Sequence, residues 1–187
     1  MMYTEVVRAV MADAELTIAQ RQRLGLDKLD ELWDGVWHLV NPPKRWHGEL
    51  NTELLLVLAP RAAAKGLKRY GDATGVYGDV EKNWRIPDQV YARPEDGIEE
   101  GVTGAELVVE VRSPGDETYE KLPFYAERGV TEVLIVHQDR RFELRRLGRE
   151  GAYEVVEDGA SEALGVTFST GAGPKLRIAW EGGSAEV

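Results

Sequence analysis

The feature that most constrains this chain is the run Leu107-Val108-Val109-Glu110-Val111. A stretch this continuously apolar, without polar alternation, reads as a strand buried on both faces. Ser113-Pro114-Gly115 breaks it. Inside the run stands one acid, Glu110. An ionised carboxylate there is costly unless it is paired, bound to a metal, or at a strand end that reaches water.

The remaining pattern supplies a mixed α/β domain. Residues 4–14 read as a short amphipathic helix carrying Val6, Val7, Val10, Met11 and Ala14. Thr17 and Gln20 have the spacing of a capping box for a second helix, with Gly25 to end it. The pair Asp34-Gly35 turns into a strand over Val36 to Val40, which Pro42-Pro43 stops. From about Arg45 to Lys65 the spacing of Leu50, Leu54, Val57 and Leu58 is helical, with Gly66 as a stop and Pro60 predicted to kink or split the helix. Residues 68–92 read as short strands joined by turns, and 93–105 as a loop. A helix is expected from Glu117 to Arg128, closed by Gly129, with Pro123 in its early part. Strands follow at Val133–Val136, Phe142–Arg145, Tyr153–Val156 and Leu176–Trp180. The expected organisation is one domain over 1–187: an N-terminal helical cover (1–28), a core (about 29–150) and C-terminal strands (151–187).

Composition narrows the chemistry. The chain has 187 residues, 43% of them hydrophobic, enough for one sizeable core. With no cysteine, disulfides, thiolate zinc sites and cysteine nucleophiles are excluded. Three histidines leave little room for an all-histidine metal site, so carboxylates and a hard ion such as magnesium or manganese are favoured. A net charge of −10 argues against non-specific coating of nucleic acid. No run of 18 apolar residues is present and the N-terminus lacks signal-peptide regions, so the expected compartment is the cytoplasm, with no membrane span.

Beside Glu110, several residues invite a functional reading. Asp88 heads the β-like stretch Gln89-Val90-Tyr91. Alone it reads as a turn aspartate; with Glu110 on a neighbouring strand it makes a pair of carboxylates able to hold one divalent ion. Lys121, eleven residues after Glu110, has Glu117 four positions before it on the same helical face. It reads as one half of a solvated ion pair, or as a cation that orients an attacking water or steadies a phosphate. Arg112 shares a strand face with Glu110. His47 opens the long helix, where histidine is more often a surface or capping residue than a ligand. Glu31 and Asp34 flank Trp33, and Glu31 has the reach to join the same site. Five arginines and one acid lie between Arg140 and Arg149; Arg140, Arg141, Arg145 and Arg146 are candidate phosphate-backbone contacts.

Several segments together resemble the Uma2 family, also called DUF820. They are Asp30-Glu31-Leu32-Trp33-Asp34-Gly35, His47 on a helix, Ile86-Pro87-Asp88, Leu107 to Pro114, Glu117 to Ala126, and Gly129-Val130. The resemblance runs from roughly residue 20 to 150. It implies a restriction-endonuclease-like fold of the PD-(D/E)XK superfamily: a central mixed β-sheet flanked by helices, here with extra C-terminal antiparallel strands. It also implies that Asp88 and Glu110 bind Mg2+ or Mn2+ and that Lys121 assists catalysis. Arg112 stands where that superfamily commonly has its lysine, and an arginine cannot act as a base. Glu117, Glu31 and His47 match recurrent family positions as supporting residues.

Three readings follow. The first is a magnesium-dependent endonuclease acting on DNA. The second is a non-catalytic nucleic-acid- or protein-binding module with the carboxylates tied up by Arg112 and Lys121. The third is a metal-free hydrolase using Asp88 and Glu110 as an acid/base pair. The C-terminal strands leave an edge for a second subunit, so a homo-oligomer, most simply a dimer, is the expected assembly.

Overall fold

The computed structural model describes residues 11–187 except Asp72, with side chains from Thr17 onward. Most of the helix expected over 4–14 lies outside the described residues. Within them, α1 (Met11–Leu24) runs through Thr17 without interruption. Thr17 therefore does not start a helix; the helix formers on either side carry the backbone through it. Gly25, at φ +66°, ends α1 as expected.

Strands β1 (Glu31–Trp33) and β2 (Val36–His38) form a hairpin around Asp34-Gly35. Helix α2 (Arg45–Ala64) follows as one element, neither split nor ended at Pro60. Leu50, Leu54, Leu58 and Ala62 form one stripe that is at most 1% exposed and extends past the proline. Burying each leucine contributes about 2 kcal/mol, and together they outweigh the roughly 3 kcal/mol cost of an interior proline. Gly66, at φ +76°, closes the helix: its N–H bonds the Ala63 carbonyl and the Leu67 N–H bonds that of Ala62.

Next come β3 (Lys68–Arg69), β4 (Gly75–Asp79), β5 (Asn83–Arg85) and β6 (Gln89–Ala92). The expected loop over 93–105 contains a 3-10 turn, Pro94–Asp96, and a two-residue strand, β7 (Gly101–Val102). Then follow β8 (Leu107–Arg112), a 3-10 turn at Tyr119–Lys121, α3 (Leu122–Glu127) and β9 (Glu132–His137). The helix expected over Glu117–Arg128 is thus shorter and begins later. Pro123 has no N–H to return to the Tyr119 carbonyl, so regular α-helix cannot extend back through Lys121. The chain ends in β10 (Phe142–Leu147), β11 (Tyr153–Val155), β12 (Ala160–Ser161), β13 (Val166–Thr170), β14 (Leu176–Trp180) and β15 (Gly183–Glu186).

The central sheet is six-stranded, in the order β11-β10-β9-β8-β6-β3, and mixed: β8 and β9 run parallel while the other pairings are antiparallel. A five-stranded sheet (β2-β1-β5-β4-β7) and a four-stranded antiparallel sheet (β12-β13-β14-β15) accompany it. The apolar run of β8 is covered on both faces, as its composition requires. Leu107, Val109 and Val111 pack with the α2 leucines and the C-terminal Phe168 and Ile178. Val108 packs with Phe124 and Tyr125 of α3 and with Val76 and Val102 of the five-stranded sheet. No helix among the described residues is long and apolar enough to cross a membrane.

Candidate active site

Alternation along β8 sends Glu110 to the same face as Val108, toward α3. The carboxylate is buried, its residue only 5% exposed. The strand-end, water-facing reading of Glu110 therefore does not describe it. The Tyr125 hydroxyl donates to Oε1 at 2.6 Å. Lys121 Nζ lies 3.3 Å from Oε1 and 3.5 Å from Oε2.

Asp88 sits just before β6, which pairs with β8 in the register Gln89↔Val109. Its Oδ2 accepts the Val111 N–H at 2.7 Å, which anchors it to the Glu110 strand. His47 Nε2, from the first turn of α2, lies 3.4 Å from the same oxygen. The backbone around Asp88 is braced from α2. Asn51 Nδ2 donates to the Asp88 carbonyl at 3.5 Å, and Gln89 Nε2 donates to Asn51 Oδ1 at 2.6 Å. The Tyr91 hydroxyl completes this bracing by donating to Gln89 Oε1.

Glu31, on β1, has both oxygens engaged. Oε1 accepts the Ile86 N–H at 2.8 Å and stands 2.8 Å from Lys121 Nζ; Oε2 accepts the Trp33 indole N–H at 2.7 Å. Glu31 is thus an anchor for Lys121, with no oxygen left over. Lys121 does not pair with Glu117, as the i, i+4 spacing suggested. Because Lys121 lies in the 3-10 turn rather than on a regular helix, it points inward to Glu31 and Glu110 instead. Glu117 pairs with His38, whose Nδ1 is 2.7 Å from Glu117 Oε2.

Electrostatics follow from this crowding. Burial pushes Glu110 up to about 7; Lys121 opposes the rise, and the charges of Asp88 and Glu31 add to it. Burial alone would lower Lys121, but the charges of Glu110 and Glu31 outweigh it and hold the ammonium protonated well above its ordinary range. His47 is likewise raised: burial pulls it down, and the hydrogen bond and charge of Asp88, a backbone hydrogen bond to Val111 and the charge of Glu110 more than compensate. Lys121 is therefore a fixed cation and not a base.

Among the described residues, no three histidine, aspartate or glutamate side chains form a ready-made metal cage. The donor chemistry nevertheless fits a hard divalent ion. Of the three carboxylates Asp88, Glu110 and Glu31, only Glu110 and Glu31 contact the ammonium, and the charge of Asp88 adds to the negative field at Glu110. Asp88 keeps Oδ1 outside its bond to Val111, and Glu110 keeps Oε2 outside its bond to Tyr125. Two carboxylates with the balance of ligands from water is the usual way magnesium is held.

Arg112 does not reach Glu110. Its Nε is 3.7 Å from Asp116, and its guanidinium lies 5.0 Å from the centroid of the Tyr119 ring. The four candidate phosphate-binding arginines are each engaged with acids. Arg140 pairs with Glu53 on α2 at 2.9 Å, Arg141 with Asp139 at 2.7 Å and Arg145 with Glu143 at 2.5 Å. Arg146 grips the fully buried Glu132 at 2.8 Å and also pairs with Glu162 at 2.9 Å.

The sequence reading missed Tyr125, Trp33, His38 and Arg85. Tyr125 stands four residues after Lys121, a helical spacing that links them. Arg85 is buried, its guanidinium 4.2 Å from the Trp33 ring and 4.3 Å from the Phe124 ring. No local pattern announces that stack, because its members come from β1, β5 and α3.

Comparison with known proteins bears on the family and the fold. The sequence model of the family Uma2, described as "Putative restriction endonuclease", matches residues 22–172. A comparison with curated proteins finds no match. Among solved structures, the chain is similar to one titled as a "putative nuclease belonging to DUF820" from Anabaena variabilis ATCC 29413. The TM-score is 0.54 at 11% identity, over 70% of this chain and 78% of the other. The likeness is one of fold.

Proposed function

The chain belongs to the Uma2 family, and from that premise we propose that it is a cytoplasmic, metal-dependent endonuclease that hydrolyses phosphodiester bonds in DNA. The observation that carries this reading is the convergence of Asp88, Glu110 and Lys121. They come from just before β6, the interior of β8 and the turn before α3: Lys121 contacts Glu110, and Asp88 is anchored to the backbone of the Glu110 strand at Val111. Asp88 and Glu110 would hold Mg2+ or Mn2+. Bound there, such an ion supplies charge neutralisation at the phosphate and a water of lowered pKa.

The chain's own residues do the rest. Lys121 stays an ammonium and donates to the phosphate oxygens as negative charge builds in the transition state. Glu31 holds Lys121 in place. Tyr125 fixes the rotamer of Glu110 from its Oε1 side; Oε2, which Lys121 approaches at 3.5 Å, is the oxygen that would face the ion. His47, 3.4 Å from Asp88 Oδ2, fixes that carboxylate.

One observation favours the binding-module alternative: Lys121 already compensates two of the carboxylates. Cleavage of supercoiled plasmid and single-stranded DNA at low salt decides between the two. The nuclease reading expects cutting with magnesium or manganese, none with chelator, and loss in Glu110→Ala and Lys121→Ala. Absence of cutting by the native protein, with no metal-induced rise in melting temperature, favours the module.

A further inference from the structure

His38 carries a constellation that the metal-site reading leaves unused. Its Nδ1 lies 2.7 Å from Glu117 Oε2. Its ring stacks on Trp33, with centroids 3.9 Å apart and planes 14° from parallel. The carboxylate fixes the tautomer and the indole fixes the plane. No hydrogen bond to Nε2 is seen among the described residues.

Contacts tie this ring to the Lys121 anchor. Trp33 donates its indole N–H to Glu31, and Glu31 holds Lys121. Glu117 lies on the loop between Glu110 and Lys121. His38 is therefore linked to Lys121 through Trp33 and Glu31, the anchor that positions the ammonium. The other charged group against this stack is Arg85, on β5, whose guanidinium lies over the Trp33 ring.

A proton acceptor is missing from the site as described. Lys121 is held protonated, arginine does not deprotonate, and Asp88 and Glu110 would be the residues that hold an ion. A histidine whose Nδ1–H is held by a carboxylate presents a basic Nε2. The other two histidines are placed differently: His47 faces Asp88, and the Glu143 opposite His137 is already shared with Tyr119 and Arg145.

We propose that His38, oriented by Glu117 and Trp33, is the general base of the site and accepts a proton from the water that attacks the phosphodiester. The inference rests on the endonuclease reading. In the step, Nε2 takes the proton, the water oxygen forms a bond to phosphorus, the bond from phosphorus to the leaving oxygen breaks, and solvent protonates that oxygen. Glu117 stabilises the imidazolium.

Two measurements test it. The first needs no metal: nitrogen NMR of the chelator-treated protein above neutral pH. His38 is expected to carry its proton on Nδ1 with a bare Nε2, and Glu117→Gln to abolish that preference; a proton on Nε2 overturns the proposal. The second is plasmid cleavage by His38→Ala, with kcat expected to fall about a hundredfold, KM near native, and added imidazole restoring rate. Glu117→Gln, which keeps the ring, is expected to lose about tenfold in kcat. If the native protein cuts and His38→Ala cuts equally well, or its loss resists imidazole, this inference alone fails. If the native protein cuts nothing under any metal, the endonuclease reading fails and the inference falls with it.

Discussion

Lys121 reaches back across nearly half of the chain to Glu31, and its Nζ lies 2.8 Å from Oε1. Glu31 is buried and Lys121 largely so, and the same glutamate binds the Ile86 N–H and the Trp33 indole. This pair positions the one ammonium in the pocket. Removing Glu31 leaves Lys121 facing Glu110 alone and two donors unmet. Glu31→Ala is expected to cost about 3–5 kcal/mol of stability, the usual penalty for breaking a buried pair. Urea unfolding measures it, and a loss below about 1 kcal/mol, the level of an exposed pair, would show that the pair does not hold the pocket together.

The raised Glu110 sets a pH dependence. Its ordinary value is 4.5, and burial with nearby Asp88 and Glu31 brings it to about 7 in the folded, metal-free protein. Between those values the folded state binds more protons than the unfolded state. Glu110 therefore contributes stability that is fully present below pH 4.5 and is lost as pH rises through about 7. Chelator-treated protein is expected to lose stability over that window relative to Glu110→Gln. Parallel curves for the two proteins would show that Glu110 titrates normally.

The arginine group separates by role. Arg146 grips Glu132, which is fully buried and also takes the Ser161 hydroxyl and the Glu162 N–H. Arg146→Ala is expected to destabilise by about 3–5 kcal/mol, because it leaves a buried charge unpaired. The exposed Arg141 pairs only with Asp139 two residues away, so Arg141→Ala should change stability by less than about 0.5 kcal/mol. Thermal unfolding of both variants, with DNA affinity measured beside it, assigns each arginine. Equal stability loss in the two would overturn the distinction.

Tyr125 offers a separate check on Glu110. Tyr125→Phe keeps the ring in the core and deletes the bond to Oε1. It is expected to cost about 1–3 kcal/mol, since a buried acceptor loses its donor. It should also lower metal-dependent cleavage without abolishing it. A variant as stable and as active as the native protein would show that Glu110 needs no such support.

Much of the frame was legible because it is written in local pattern. The unbroken run at Leu107–Val111 required cover on both faces, and it lies between the α2 leucines and the α3 aromatics. Glu110 stood out because a charge inside such a run needs a reason. Errors arose where tertiary contacts overrule local signals. Pro60 does not divide α2, because the buried stripe spans it; Pro123 shortens the next helix and turns Lys121 away from Glu117. The strands β1 and β12, of three and two residues, are too short to show a period, whereas the alternation of buried Val166 and Phe168 in β13 was open to a reading by pattern. The stack of His38, Trp33 and Arg85 joins three separate strands, and one sequence contains no signal for it.

The most direct test of the central claim is a calorimetric titration of Mn2+ into the native protein, Asp88→Asn and Glu110→Gln. The account predicts one saturable binding event per chain in the native protein, abolished in both variants, with a matching rise in melting temperature only where binding occurs. Binding that survives both substitutions, or a native protein that takes up no ion, would contradict it.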